Sequence, residues 1–228
     1  MKHILLLLAL ACCKAPETVM IEIPAGTYRV RCIADAIRSC RSDRDHYVVT
    51  TKTFEIDQTE VTIAQYKACI DASACADYEQ RSTETEPVQV SYANAEMYCR
   101  WQHKELPYFV HWEIAARGKR GGNYPWGNGA PTCADIEYSG CLQHKELEPV
   151  GSRPFDRSEF GVLDLWGSSS EWVASDHELH RMRPSVIHRP PAEQHVYGAD
   201  EEFSLHRTPT GFRCARGQTV PVIVPIDE

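Results

Sequence analysis

No apolar run in this 228-residue chain reaches the about 20 residues that a helix needs to cross a bilayer. Positive charge is also in short supply. Against 32 Asp and Glu stand 24 Lys and Arg, a net −8, which argues against a nucleic-acid partner because a phosphate-binding surface needs the opposite balance. Arg38, Arg41 and Arg44 are interleaved with Asp43 and Asp45 and read as a solvated mixed-charge loop. There is no G-x-S-x-G, no H-E-x-x-H and no phosphate-cradling loop, so the common hydrolase and nucleotide-binding signatures are missing. No C-x-x-C follows Cys13, which weakens a zinc reading. Internal repeats and low-complexity tracts are absent, and the apolar share of 43% is that of an ordinary globular protein.

What the chain does have begins at its N-terminus. Lys2 precedes an apolar run over residues 4–11, which is the length of a signal-peptide core. Ala9-Leu10-Ala11-Cys12 resembles a bacterial lipobox, in which the small residue before the cysteine marks the cut and the cysteine thiol takes a diacylglycerol. This predicts a signal peptide over residues 1–12, lipidation of Cys12, and an exported protein held at a membrane of the bacterial cell envelope. Cys13 is an alternative anchor, and plain secretion after a nearby cut is the alternative outcome.

Setting Cys12 and Cys13 aside leaves eight of the ten cysteines, an even number suited to pairing in an oxidising compartment. Proximity suggests Cys32 with Cys40, Cys69 with Cys75, and Cys133 with Cys141. Cys99 and Cys214 remain, and would join a central helix to a C-terminal strand. Eight cysteines allow many other connectivities.

Residues 20–30 read as two extended pieces around Pro24-Ala25-Gly26, and alternation resumes over residues 48–56. Thr62 and Gln65 have the spacing of a capping box, opening a helix with Ile63, Tyr66 and Ile70 on one face. A second helix is expected from Ser91, with Tyr92, Ala95 and Cys99 on one stripe and Glu96 four residues before Arg100. A third is expected over residues 108–117, stopped by Gly118. Beyond Gly121, frequent Gly, Pro and Asn predict a loop-rich remainder.

Several segments, in order, resemble the formylglycine-generating enzyme (sulfatase-modifying factor) family. They are Phe54-Glu55-Ile56-Asp57-Gln58-Thr59-Glu60-Val61-Thr62 with Gln65-Tyr66; Pro87-Val88; Leu106-Pro107, Trp112-Glu113 and Ala115-Ala116-Arg117-Gly118; Tyr124-Pro125-Trp126-Gly127; Pro149-Val150-Gly151; Phe160-Gly161-Val162-Leu163-Asp164-Leu165; Gly167 and Glu171-Trp172; and Gly211-Phe212-Arg213-Cys214-Ala215-Arg216. The resemblance covers residues 20 to about 216 and implies one domain over residues 20–220. The implied fold is α+β, formylglycine-generating-enzyme-like and related to C-type lectins, with few short helices and strands. Trp112, Trp126 and Trp172 would pin loops to the core through one ring donor each, and Gly127, Gly161 and Gly167 would supply tight turns.

Catalytic members of that family oxidise a sulfatase cysteine to formylglycine with oxygen and copper, held by two cysteines near the C-terminus. Soft thiolates suit copper(I). Here residues 176–210 contain no cysteine, and Cys214 is the only one after Cys141, so no catalytic residue carries over. The family's Asn in a calcium-site region is replaced by Ser168, and the one carboxylate at Glu171 does not make a calcium site. Ser170 replaces the first Trp of the same motif. The capping threonine of the third helix is replaced as well, and Tyr108, Phe109 and Val110 are expected to make that surface more apolar. His177, His180, His188, His195 and His206 offer nitrogen donors, but no third ligand is positioned beside His177 and His180. The expectation is a non-catalytic binding or structural module of the cell envelope, with an unidentified protein or glycan ligand and no cofactor. Copper or calcium enters only if the family's sites persist in altered form. The alternatives are a formylglycine-generating oxidase, which would need Cys214 and another free thiol together, and another metal-dependent oxidase built on the histidines.

Overall fold

The computed structural model describes residues 17–31, 46–78, 83–129, 147–166, 168–174, 181–182, 210–220 and 222–225. In chain order the described elements are strands β1 (Met20–Ile23), β2 (Gly26–Arg31), β3 (His46–Thr51) and β4 (Phe54–Asp57); helices α1 (Ile63–Asp71), α2 (Tyr92–Trp101) and α3 (Phe109–Arg117); and strands β5 (Glu171–Trp172), β6 (Arg181–Met182), β7 (Gly211–Phe212), β8 (Ala215–Arg216) and β9 (Val222–Pro225). The loop-rich α+β character is as expected.

The strands form three three-stranded sheets, ordered β1-β4-β8, β2-β3-β9 and β6-β5-β7. Alternation decides which side chains enter the core. Tyr28 and Val30 of β2 point inward opposite Val49 and Tyr47 of β3, while Thr50 faces out. The extended stretch expected over residues 48–56 is interrupted at Lys52-Thr53, so β3 and β4 belong to different sheets. Strand β9 lies past residue 220 and pairs with β3, Val48 opposite Val224.

Helix α1 opens with the reciprocal cap. The Gln65 backbone N–H donates to Thr62 Oγ1 at 3.2 Å, and the Thr62 N–H to Gln65 Oε1 at 2.8 Å. Its inward residues are Ile63, Tyr66 and Cys69, with Ile70 only half-buried. Helix α2 is capped by Ser91 and carries the Arg100–Glu96 pair at 2.9 Å on its outer face.

Helix α3 is buried along its whole length, which departs from the expected apolar surface: Phe109 and Val110 lie in the core at 5% exposure each. The reason is how its first turn is docked. No side chain of its own caps it. Instead Gln218 reaches in from beyond β8, and its Oε1 accepts from the Tyr108 N–H at 2.7 Å and from His111 Nδ1 at 3.0 Å. The helix stops at Gly118, whose φ of 69° lies in the left-handed region; a Cβ there would also meet Glu159 Oε2 at 2.7 Å.

Two apolar clusters fill the interior. The first lies among β1–β4, α3 and the Trp166 region, and includes Ile23, Val49, Trp112 and Ile114. The second lies between α1, α2 and β5–β7, and includes Tyr66, Tyr98, Cys99, Phe212 and Cys214. The three indole N–H groups pin backbone or carboxylate as expected: Trp126 donates to the Gly129 carbonyl and Trp172 to the Val90 carbonyl, each at 2.8 Å, and Trp112 to Glu171 at 2.9 Å. Gly127 and Gly161 have φ of 119° and 98°; Gly167 lies outside the described residues. Among the described residues no helix is long and apolar enough to cross a membrane.

Candidate functional site

The motif residues of three distant segments meet at one buried position. Strands β5 and β7 run parallel with Glu171 opposite Gly211, and Arg213 follows two residues later. Its guanidinium is 0% exposed and grips Glu171 with two bonds, Nε to Oε2 at 2.8 Å and Nη2 to Oε1 at 2.7 Å. Its other N–H groups donate to backbone carbonyls of Asp57 (3.3 Å), Gln58 (3.1 Å) and Asp164 (3.3 Å). One side chain thus ties the end of β4, the turn at Asp164 and β5 together. Gly211 lets β7 approach this closely, because a Cβ there would meet Ser169 Oγ at 2.8 Å.

Further carboxyl groups surround this ion pair. Glu60 accepts from Ser168 Oγ and from the Ser169 N–H, both at 3.2 Å. Burial, reinforced by the charges of Glu171 and Asp164, raises its pKa well above the usual carboxylate range. Asp164 accepts from the Gly151 N–H at 2.6 Å, and burial raises its pKa too. Burial alone would lower the Arg213 pKa, but Glu171 together with Glu60 and Asp164 pushes it up, so the guanidinium stays charged.

Cys214 lies beside this network and forms a disulfide with Cys99, both at 0% exposure. Its N–H donates to Asp57 Oδ2 at 2.9 Å, and Asp57 Oδ1 accepts from Lys104 Nζ at 2.6 Å. Cys69 and Cys75 form the second described disulfide. The expected pairs Cys32 with Cys40 and Cys133 with Cys141 lie outside the described residues, as do Cys12, Cys13 and His177, His180, His188, His195 and His206.

The family's metals fit this donor set poorly. Copper(I) needs thiolates, and the sulfur of Cys214 is bonded to Cys99. Calcium needs free oxygens. Both oxygens of Glu171 already accept from Arg213 or Trp112, and the Ser168 hydroxyl donates to Glu60. Among the described residues no group of three or more His, Cys, Asp or Glu side chains is placed to hold a metal ion. Sequence reasoning brought Glu171, Trp112, Trp172, Cys99 and Cys214 to notice but assigned no role to Glu60, Asp164 or Arg213. Each lies inside one of the family-like segments, which is the signal the sequence offers for it. Trp126 lies elsewhere, stacked on Tyr124 at 5.2 Å.

Residues 10–220 match the family model described as "Sulfatase-modifying factor enzyme 1-like domain". The chain belongs to this sulfatase-modifying factor family. It is 34% identical over 157 residues to the bovine (Bos taurus) protein named "Inactive C-alpha-formylglycine-generating enzyme 2", covering 59% of this chain and 51% of that protein. It is 30% identical over 185 residues to a "Hercynine oxygenase" of Mycolicibacterium thermoresistibile, covering 63% of this chain and 40% of that protein. The chain thus spans 51% and 40% of the lengths of these two curated relatives. The solved structure of PvdO from Pseudomonas aeruginosa superposes with a TM-score of 0.68 at 22% identity, covering 88% of this chain and 94% of that one, which is a likeness of fold. The chain is thus similar both to a protein named as inactive and to one named as an oxygenase.

Proposed function

We propose that this chain is a non-catalytic member of the sulfatase-modifying factor family, exported and held at the bacterial cell envelope by a lipid on Cys12, where it serves as a binding or structural module. The observation that carries the loss of catalysis is the Cys99–Cys214 disulfide. It takes up the only cysteine after Cys141, so no thiolate pair is left for copper(I) in the C-terminal part of the sequence. The buried Arg213–Glu171 pair, with Glu60 and Asp164, supports the same reading, since its polar atoms bind one another and backbone groups. The similarity to a protein named as inactive is consistent with it.

Thiol counting on the oxidised full chain tests the proposal: neither Cys99 nor Cys214 should react with a thiol reagent without reduction. A free Cys214 would contradict it. For the anchor, labelling with a palmitate analogue should be lost in Cys12→Ser; labelling unchanged in that variant would move the anchor elsewhere.

A second reading, a metal-dependent oxygenase on the same scaffold, is favoured by the similarity to a protein named "Hercynine oxygenase". It would draw on the histidines between residues 177 and 206. A stoichiometric metal in the purified chain, lost in His177→Ala and His180→Ala, would support it over the non-catalytic reading.

A further inference from the structure

The buried polar centre carries more acid than base. Glu60, Asp156, Asp164 and Glu171 are each 3% exposed or less. Two guanidiniums face them, Arg213 and Arg153, and the Nε of Arg153 already donates to a fifth carboxylate, Glu148, at 2.7 Å. With every acid ionised, the interior would hold carboxylates that no described cation balances. Charge buried without a partner is expensive, and such a group loses its charge instead.

The local geometry shows where neutral acids would sit. Glu60 is faced by Glu171 and Asp164 as well as Arg213, and Arg213 has both its charged bonds on Glu171. The Ser168 hydroxyl, 3.2 Å from Glu60 Oε2, can accept from a protonated Glu60 O–H as readily as it donates to the bare carboxylate. Asp156 uses Oδ2 to accept from the Trp166 N–H at 2.8 Å, while its Oδ1 is buried with no hydrogen-bond partner among the described residues. An ionised oxygen there would have no described group to pair with. Asp156 is faced by Asp164, Arg153 and Arg213.

We propose that this centre is a proton store: around neutral pH Glu60 and Asp156 are neutral carboxylic acids, and the domain tightens as its medium is acidified and loosens as it becomes alkaline. The electrostatics agree in direction. Burial first, then the neighbouring carboxylates, raises Glu60, and burial raises Asp156 to about 8. An acid whose folded pKa exceeds its unfolded one binds more protons when folded. Its contribution is therefore complete below the unfolded value, about 4, and is lost as pH climbs through the folded value. For Asp156 the window runs from about pH 4 to about 8.

The test is thermal unfolding of the full oxidised chain from pH 5 to pH 8.5, with chelator or with added calcium. With chelator, the wild-type Tm should fall by about 5 °C or more across that range. Glu60→Gln and Asp156→Asn, whose amides imitate the neutral acids, should keep the pH 5 value and flatten the fall. A flat wild-type profile, or an undiminished fall in both variants, would overturn the proposal. So would a calcium-dependent recovery of the wild-type Tm at pH 8.5 that the variants lack, because a cation would then be the balancing charge. Should the variants not fold, infrared titration of the wild type decides. A protonated-carboxyl band at pH 6 that disappears by pH 9 supports the store, and the lack of one contradicts it.

Discussion

Among the described residues no disulfide lies in the cluster beneath β2, β3 and α3, whereas the cluster between α1, α2 and the C-terminal strands contains both described disulfides. The difference follows from the elements that enclose each. The first has two sheets and a helix buried on every side. The second rests on helices of nine and ten residues and strands of two, each too short to persist without tertiary support. Cross-links supply that support, and Cys99–Cys214 does so across a sequence separation of 115.

Breaking each side in turn sharpens the contrast. Cys99→Ala with Cys214→Ala should have the largest effect, a loss of about 4–5 kcal/mol in denaturant unfolding, as expected for a closed loop on the order of 100 residues. Hydrogen exchange on that variant should show α1 and α2 losing protection before β2 and β3 do; equal loss in both regions would remove the distinction. In the cluster without a described disulfide, Ile114→Ala should cost about 3 kcal/mol, the ordinary price of a buried aliphatic side chain, read in denaturant unfolding. Cys69→Ala with Cys75→Ala opens a loop of separation 6 and should cost about 2 kcal/mol. Thr62→Ala removes one half of the α1 cap and should cost about 1 kcal/mol, read as a shift in denaturant midpoint at constant slope.

What was legible in the sequence was local. Thr62 and Gln65 satisfy one another across three residues, Glu96 and Arg100 meet across four, and Gly118 ends α3 by its own backbone conformation. The family motifs supplied the fold, because an ordered set of short segments survives where long-range contacts are invisible. What was not legible joins residues far apart. Gln218 docks the first turn of α3 from 110 positions away, in place of the missing threonine. Its partner His111, bonded also to Thr51 at 2.9 Å, is held neutral by burial, its pKa lowered to about 4. Nothing in the spacing of Phe109, Val110 and His111 shows that this turn faces inward. Glu60 likewise reads as a helix-entry residue until the fold sets Ser168 and Ser169 beside it, more than 100 positions later.

The central claim is that this fold has kept the family scaffold while its one C-terminal cysteine serves as a cross-link. The most direct measurement is incubation of the purified, oxidised full chain with a sulfatase-type cysteine peptide, oxygen and copper, followed by mass spectrometry of the peptide. The account predicts no conversion of the cysteine to formylglycine, with or without copper. Conversion that requires oxygen and copper and disappears in Cys214→Ser would contradict it.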